Sequence, residues 1–394
     1  MKQKILFVIN SLGCGGAEKA LLSLLMLMDR NKYDISLQMF TRGGMFEELL
    51  PAEINILPPL DHSIFCSKSL AAQIFSFDVK RISARLKTAA ELRKNARQGH
   101  PLHDTQAYWK YSASAYDTLP RQYDVAIAWG QGTPTHFVAQ KINAKKKFAW
   151  VNVNYEDAGH NKDFDRDIYA QYTGIVCVSN KLRDIFVKVY PEYTQKCSVI
   201  LDIQNAELIS KMAQEECNIQ KHGLTITTVG RLVRQKGYDI AAKAAQILKE
   251  RGVEFKWYVV GGGDAAPIEK DITAYGIDDC FILLGAKKNP YPFIAAADIY
   301  VQTSVSEGYC LTLAEARMLN IPCVTTAFDV VYEQMINGEN GLVVDMNAQA
   351  VADGIERLIN DKALYDHIKK YQQSEKKGNT EEIERFYELV GSED

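Results

Sequence analysis

Apolar, β-branched runs of strand length alternate along this chain with longer stretches in which apolar residues recur at helical spacing. Runs at 5–9, 35–40, 125–129, 148–153, 175–178 and 199–201 form one series; runs at 225–229, 255–260, 281–284, 299–303, 323–326 and 342–344 form a second. Strands that are apolar on both faces belong to parallel sheets covered by helices above and below. The pattern therefore predicts an α/β protein of two Rossmann-like, doubly wound domains. The boundaries expected are 1–203 and 204–374, with a change of domain near Asp202–Asn205 just before a helix that belongs to neither sheet. The polar tail 375–394 carries Ile383, Phe386, Tyr387 and Leu389 at helical spacing and is expected to return as a helix onto the body.

A length of 394 residues exceeds one ordinary core, and 47% hydrophobic with 24% charged residues is the composition of a water-soluble globular chain. The eight cysteines have no CxxC spacing and read as small core residues of a reducing compartment. The run Ile5 to Ile9 is too short for a signal-peptide core, and Leu21 to Met28 is too short to span a bilayer, so the expected location is the cytoplasm.

The net charge of -3 hides an asymmetry: 26 Lys and Arg stand against 19 Asp and Glu up to residue 200, leaving 20 against 30 beyond it. The excess peaks at 78–97, where Lys80, Arg81, Arg85, Lys87, Arg93, Lys94 and Arg97 oppose only Asp78 and Glu91. Ile74, Phe75, Phe77, Ile82 and Leu86 are interleaved. Such a segment is a solvated helix face or a peripheral contact with the anionic inner face of a membrane. Basic and aromatic residues are not otherwise interleaved in the manner of a nucleic-acid binder, so no nucleic-acid partner is expected.

The candidate chemistry lies where strands end. In open parallel sheets ligands bind beyond the carboxyl ends of the strands. Gly13, Gly15 and Gly16 follow the first strand and open a helix, and their bare backbone can approach an anion closely. The position for the third glycine of a dinucleotide fingerprint holds Glu18, so this is not that motif. Gly230 and Arg231 follow the strand LTITTV, with Lys236 and Gly237 just beyond, and Gly261, Gly262 and Gly263 follow the strand KWYVV. Two cations at such a mouth suit a diphosphate, arginine for directed hydrogen bonds and lysine as a compact charge. In SVSEGYCLTLAEA, Glu307 and Glu315 flank a helix start; eight residues is a little over two turns, so both carboxylates can reach one ligand. Backbone amides from Gly308 to Leu311 suit a phosphate, and the carboxylates suit sugar hydroxyls.

Taken together, GGAEK, GRLVRQKG, the glycine turn at 261, GAKKNPYPFIAAADIYVQTSVSEGYCLTLAEA and NGENGLVV resemble family 4 of the retaining GT-B glycosyltransferases over nearly the whole chain. The resemblance implies two domains facing across a cleft, with the C-terminal helix returning toward the N-terminal domain. It implies a nucleotide diphosphate sugar as donor, uridine-linked by preference, and a saccharide, glycolipid, cell-wall polymer or protein as acceptor, with no cofactor and no metal. Arg231 and Lys236 would stabilise the departing diphosphate and Glu307 would orient the sugar. Glu315 would hold the ribose. Gly15, Gly16, Gly230, Gly262, Gly308, Tyr309, Cys310, Leu311 and Thr312 would complete the donor site, with the base near Ala286 and Lys287. The chain departs from the family at Asn152, where many members have a histidine; Asn152 and Gln131 would then offer amides, not a proton relay, on the acceptor side.

Asp163, Asp165 and Asp167 resemble a metal-binding DxDxD string, but they stand before a predicted helix and are expected to form an acidic surface loop. The seven histidines show no HExxH pattern, so no metal site is expected. Two other functions share the scaffold: a nucleotide-sugar epimerase or phosphorylase, and a silent sugar-binding or partner-stabilising subunit.

Overall fold

The structure, a computed structural model, describes residues 2–13, 15–98, 102–156, 158–220 and 222–391. Cys14 and His100 lie outside the described residues, as do the side chains of Ile74 and Arg97. The chain divides into two compact units, one of Met1–Gly13, Ala17–Asp202 and Glu381–Asp394, the other of Cys14–Gly16 and Ile203–Thr380.

The first unit is built on a seven-stranded parallel sheet: β1 (Gln3–Ile9), β2 (Tyr33–Met39), β3 (Asn55–Ile56), β4 (Gln122–Ala128), β5 (Asn143–Val151), β6 (Gly174–Cys177) and β7 (Cys197–Val199). Their order across the sheet is β3-β2-β1-β4-β5-β6-β7. Sequence patterning anticipates six of these strands; β3, only two residues long, carries no periodic signal. The central strands are buried over their carboxyl-terminal parts, with Ile5 to Val8 and Val125 to Ala128 fully covered, as apolar parallel strands require. Trp129 and Trp150 stack at 4.7 Å beyond β4 and in β5. The closing helix Glu382–Gly391 is part of this unit: Phe386 is buried and stacks on Phe7 at 6.0 Å, and Tyr387 stacks on Tyr33 at 5.3 Å.

The second unit has a six-stranded parallel sheet of β8 (Leu224–Val229), β9 (Phe255–Val260), β10 (Phe281–Leu283), β11 (Ile299–Gln302), β12 (Cys323–Thr326) and β13 (Leu342–Val344), in the order β10-β9-β8-β11-β12-β13. Each face has its own core. Helices Tyr238–Glu250 and Ala348–Asn360 bury Ala241, Leu248, Val351 and Ile355 on one side. Helices Ala206–Met212, Tyr291–Ala295 and Leu311–Met318 cover the other with Ile209, Ile294 and Leu313.

In both sheets the strand order reverses once, between β1 and β4 in the first and between β8 and β11 in the second. Connections leave such a point in opposite directions, which opens a crevice at the carboxyl ends. Every glycine turn singled out in the sequence lies next to one of these two points or, for Gly261 to Gly263, directly after the adjacent β9.

Candidate functional site

The turns at the second reversal are built by backbones that approach too closely for side chains. A Cβ on Gly261 would sit 1.7 Å from the carbonyl oxygen of Gly230, and one on Gly237 would sit 2.0 Å from that of Thr303. Gly237 also has φ of +62°, a conformation glycine adopts without the clash other residues meet. It starts the helix Tyr238–Glu250 and leaves Lys236 at the end of the preceding short turn. A Cβ on Gly230 would press on the Lys236 stem at 3.3 Å, so the missing side chain there is what allows Lys236 to lie across the turn.

Lys236 meets Glu307. Its Nζ donates to Glu307 Oε1 at 2.5 Å, and both side chains are largely buried. Burial is the largest single influence and lowers the ammonium's pKa; the charge and hydrogen bond of Glu307, together with Cys310, outweigh it and hold the pKa above its ordinary value, so Lys236 stays charged. The two loops are locked in register by Val305 N to Gln235 O at 2.8 Å and Gln235 Nε2 to Ser306 O at 2.7 Å. Arg231 is exposed, and its charge bears unfavourably on Lys236, which places the two cations near each other.

Behind Glu307 runs a buried chain of side-chain hydrogen bonds that sequence reasoning missed. Ser304 Oγ donates to Glu307 Oε1 at 2.6 Å, Gln302 Nε2 to Ser304 Oγ at 2.7 Å, and Tyr300 OH and Thr312 Oγ1 to Gln302 Oε1 at 2.7 and 3.3 Å. A chain of this kind fixes the carboxylate in one orientation. The signal available was small: polar residues at 302 and 304, two apart, at the carboxyl end of an otherwise apolar strand.

Glu315 lies deeper. It is 1% exposed on the helix Leu311–Met318, and Tyr291 OH donates to its Oε1 at 3.1 Å. Cys310 occupies the position before that helix with φ of +72°, unusual for a residue with a Cβ, and is buried. Gln334 Nε2 donates to the carbonyls of Tyr309 and Cys310, tying down the loop that contains Gly308. Helix-start amides from Leu311 and Thr312 follow directly. On the neighbouring edge Gly262 faces Ala286, whose Cβ would be 3.2 Å from one placed on the glycine, and Lys287 Nζ lies 6.0 Å from the Phe293 ring. The structure thus brings Gly230, Lys236 and Glu307 together and sets Glu315 with Tyr291.

Gly15 and Gly16, which group with the second unit, follow β1 at the start of the helix Gly16–Leu27; in the first unit Gln131 and Asn152 follow β4 and β5. Gln131 is spent on the backbone: its Oε1 accepts from Asn152 N at 3.0 Å and Val153 N at 2.9 Å, and its Nε2 donates to Val153 O at 3.1 Å. The amide expected to face an acceptor instead clamps two loops. Asn152 is the reverse case, since its side-chain nitrogen and oxygen are both buried and neither has a hydrogen-bond partner among the described residues.

The expected acidic surface loop is overturned. Residues 163, 165 and 167 lie on the helix Lys162–Ala170, and Asp165 is 3% exposed. It accepts from Tyr155 OH at 2.7 Å and pairs with His136 Nε2 at 2.8 Å and His160 Nδ1 at 3.2 Å. Burial raises its pKa, but the hydrogen bonds from His136 and His160 outweigh this and hold the carboxyl well below the usual range. In an α-helix residues two apart point in widely different directions while residues four apart share a face, so with Asp165 turned to the core Asp163 and Asp167 face solvent. The same network ties Tyr155, in the loop that begins with Asn152, to Tyr190 at 2.6 Å. Among the described residues no three His, Cys, Asp or Glu side chains are grouped so as to hold a metal ion.

Residues 211–375 match the protein family described as "Glycosyl transferases group 1". The capsular polysaccharide biosynthesis glycosyltransferase CapM of Staphylococcus aureus is 26% identical over 162 residues, 40% of this chain and 43% of CapM. The amylovoran biosynthesis glycosyltransferase AmsK of Erwinia amylovora is 31% identical over 262 residues, 52% of this chain and 64% of AmsK. The chain thus spans between two fifths and two thirds of the length of these relatives. In three dimensions it superposes on Anabaena HepE, solved in complex with UDP and glucose, with a TM-score of 0.70 and 17% identity, covering 99% of this chain and 100% of HepE. The fold is that of the GT-B glycosyltransferases.

Proposed function

We propose that this protein is a retaining glycosyltransferase that moves a hexose or N-acetylhexosamine from a nucleotide diphosphate sugar, UDP-linked, to a hydroxyl of a saccharide, glycolipid, cell-wall polymer or protein. The observation that carries the reading is the Lys236–Glu307 pair at a strand-order reversal, beside an exposed Arg231 and the amides that open the helix Leu311–Met318.

Negative charge grows on the departing diphosphate as its bond to the sugar stretches. Fixed cations and helix-start amides stabilise that charge without reorganising. Lys236 is held charged and in place by Glu307 before any ligand arrives, and Arg231 supplies a second cation. Glu307, oriented by Ser304 and Gln302, accepts hydrogen bonds from sugar hydroxyls, and Glu315 holds the ribose. The acceptor hydroxyl attacks from the face the diphosphate leaves, and a phosphate oxygen takes its proton. No side chain serves as general base and no metal is required. Asn152 hydrogen-bonds a substrate hydroxyl. The protein works in the cytoplasm, with peripheral contact at the inner face of the membrane through 78–97.

A ligand that binds only the folded state raises its melting temperature with affinity and concentration. UDP-sugars are expected to raise Tm and nicotinamide cofactors to leave it unchanged; the reverse ranking refutes the reading. Transfer that persists in EDTA supports the metal-free step. Donor turnover that yields an isomerised nucleotide sugar without acceptor would favour an epimerase, and donor binding without turnover would favour a silent subunit.

A further inference from the structure

The segment 70–98 does not form the single amphipathic helix its composition suggests. A short helix Leu70–Phe75 ends, a three-residue link follows, and a long helix runs over Val79–Gln98. Phe77 in the link has φ of +53°, a backbone conformation bulky residues rarely adopt, yet its ring is 82% exposed. The link is anchored: Ser76 Oγ donates to Gln73 O at 2.6 Å, and Asp78 is engaged by Arg81 at 3.0 Å. Phe75 and Val79 on either side are 75% and 76% exposed. Three large apolar side chains are thus presented to water by a backbone held in a strained turn.

The exposed face of the long helix continues from this knuckle. At about 100° per residue, the exposed positions Val79, Lys80, Leu86, Lys87, Ala90, Arg93 and Lys94 fall within one arc of about 140°. Ala84, Thr88 and Asn95 form the buried side. No carboxylate lies in the exposed arc. Asp78 is taken by Arg81, and Glu91 faces Lys110 at 3.9 Å and Tyr111 at 3.3 Å on the packed side. Arg85 is likewise turned inward, donating to Cys66 O at 2.9 Å.

We propose that this face, with Phe75, Phe77, Val79 and Leu86 as its inserting residues and Lys80, Lys87, Arg93 and Lys94 as its cations, docks on an anionic lipid bilayer. An interface of two layers, apolar acyl chains beneath charged headgroups, matches a surface whose apolar tips and flexible cations share one arc. Each cation near such a surface adds attraction that salt screens. Among the described residues no helix is long and apolar enough to cross a membrane, so the contact lies on the surface. The inference deepens the peripheral contact in the function proposed above, and it is tested without any sugar donor, so either can fail alone.

The test is co-sedimentation of the full chain with phosphatidylcholine vesicles and with vesicles containing phosphatidylglycerol, at low and high salt. The wild type is expected to sediment with the anionic vesicles only, and less at high salt. Phe75→Ala with Phe77→Ala is expected to weaken partitioning by about tenfold or more, with Tm unchanged because both rings are exposed. Lys87→Gln with Lys94→Gln is expected to weaken it and flatten the salt dependence. No preference for anionic vesicles, or binding indifferent to the phenylalanines, overturns the proposal. So does a concentration-dependent dimer, seen by light scattering, that the phenylalanine variant abolishes, which would assign the face to a second copy of the chain.

Discussion

The carboxyl ends of the two sheets share one backbone grammar and differ in what they do with charge. At the second sheet the charged groups stand at the rim and are paired with each other, Lys236 with Glu307, and the polar chain through Ser304 and Gln302 backs them. At the first sheet the charge is withdrawn into the body, as Asp165 with His136 and His160, and the rim is left with a neutral asparagine whose side chain has no partner among the described residues. A preorganised charged rim suits a ligand that develops charge, and an unsatisfied neutral amide suits a hydroxyl. The contrast teaches that a strand-order reversal supplies a place, while the residues one to seven positions beyond each strand supply the chemistry.

Lys236→Ala tests the charged side most severely. Removal of a preorganised group facing developing charge costs on the order of a hundredfold to a thousandfold in rate, so single-turnover transfer from a UDP-sugar is expected to fall by that amount while circular dichroism shows a folded protein. Unchanged turnover would mean that the pair at this rim is structural.

The withdrawn charge should matter for stability. Asp165→Ala leaves two buried imidazoles and the Tyr155 hydroxyl without their acceptor and is expected to cost about 3 kcal/mol or more, read in urea unfolding. Because the folded pKa of Asp165 is depressed, its unfolded form takes up a proton first. Its stabilisation is therefore complete above the ordinary carboxylate range and is lost as pH falls from that range through the depressed folded pKa. Wild-type Tm should drop more steeply on acidification than that of the variant; parallel curves would refute the assignment.

Asn152→Ala sharpens the comparison from the neutral side. It removes two polar atoms that have no partners among the described residues, so stability should stay within about 1 kcal/mol. Loss of a hydrogen bond to substrate should lower kcat/KM about tenfold. A large loss of stability with unaltered kinetics would make the amide structural.

The smallest effect is expected at Cys310. Substitution by glycine relieves a left-handed backbone at the helix start, a gain of about 1 kcal/mol partly offset by loss of a buried thiol. Tm should rise slightly or hold; a clear fall would show that the thiol's packing outweighs the strain.

Periodicity and turn chemistry along the chain were enough to determine two parallel sheets, twelve of the thirteen strands, the helix that begins after Cys310 and the glycines whose bare backbones its neighbours crowd. These are local properties: alternation of strand and helix, burial on both faces, and conformations that only glycine adopts readily. Pairing was decided by the tertiary structure. The string Asp163, Asp165, Asp167 reads as one acidic surface until a helix turns its middle member inward onto histidines 29 and 5 residues away. Gln131 reads as an offered amide until the next loop takes both its ends, and 74–86 reads as one helix face until a strained link at Phe77 breaks it. Which polar groups satisfy one another depends on atoms brought close from distant positions in the chain, and no spacing along it records that proximity.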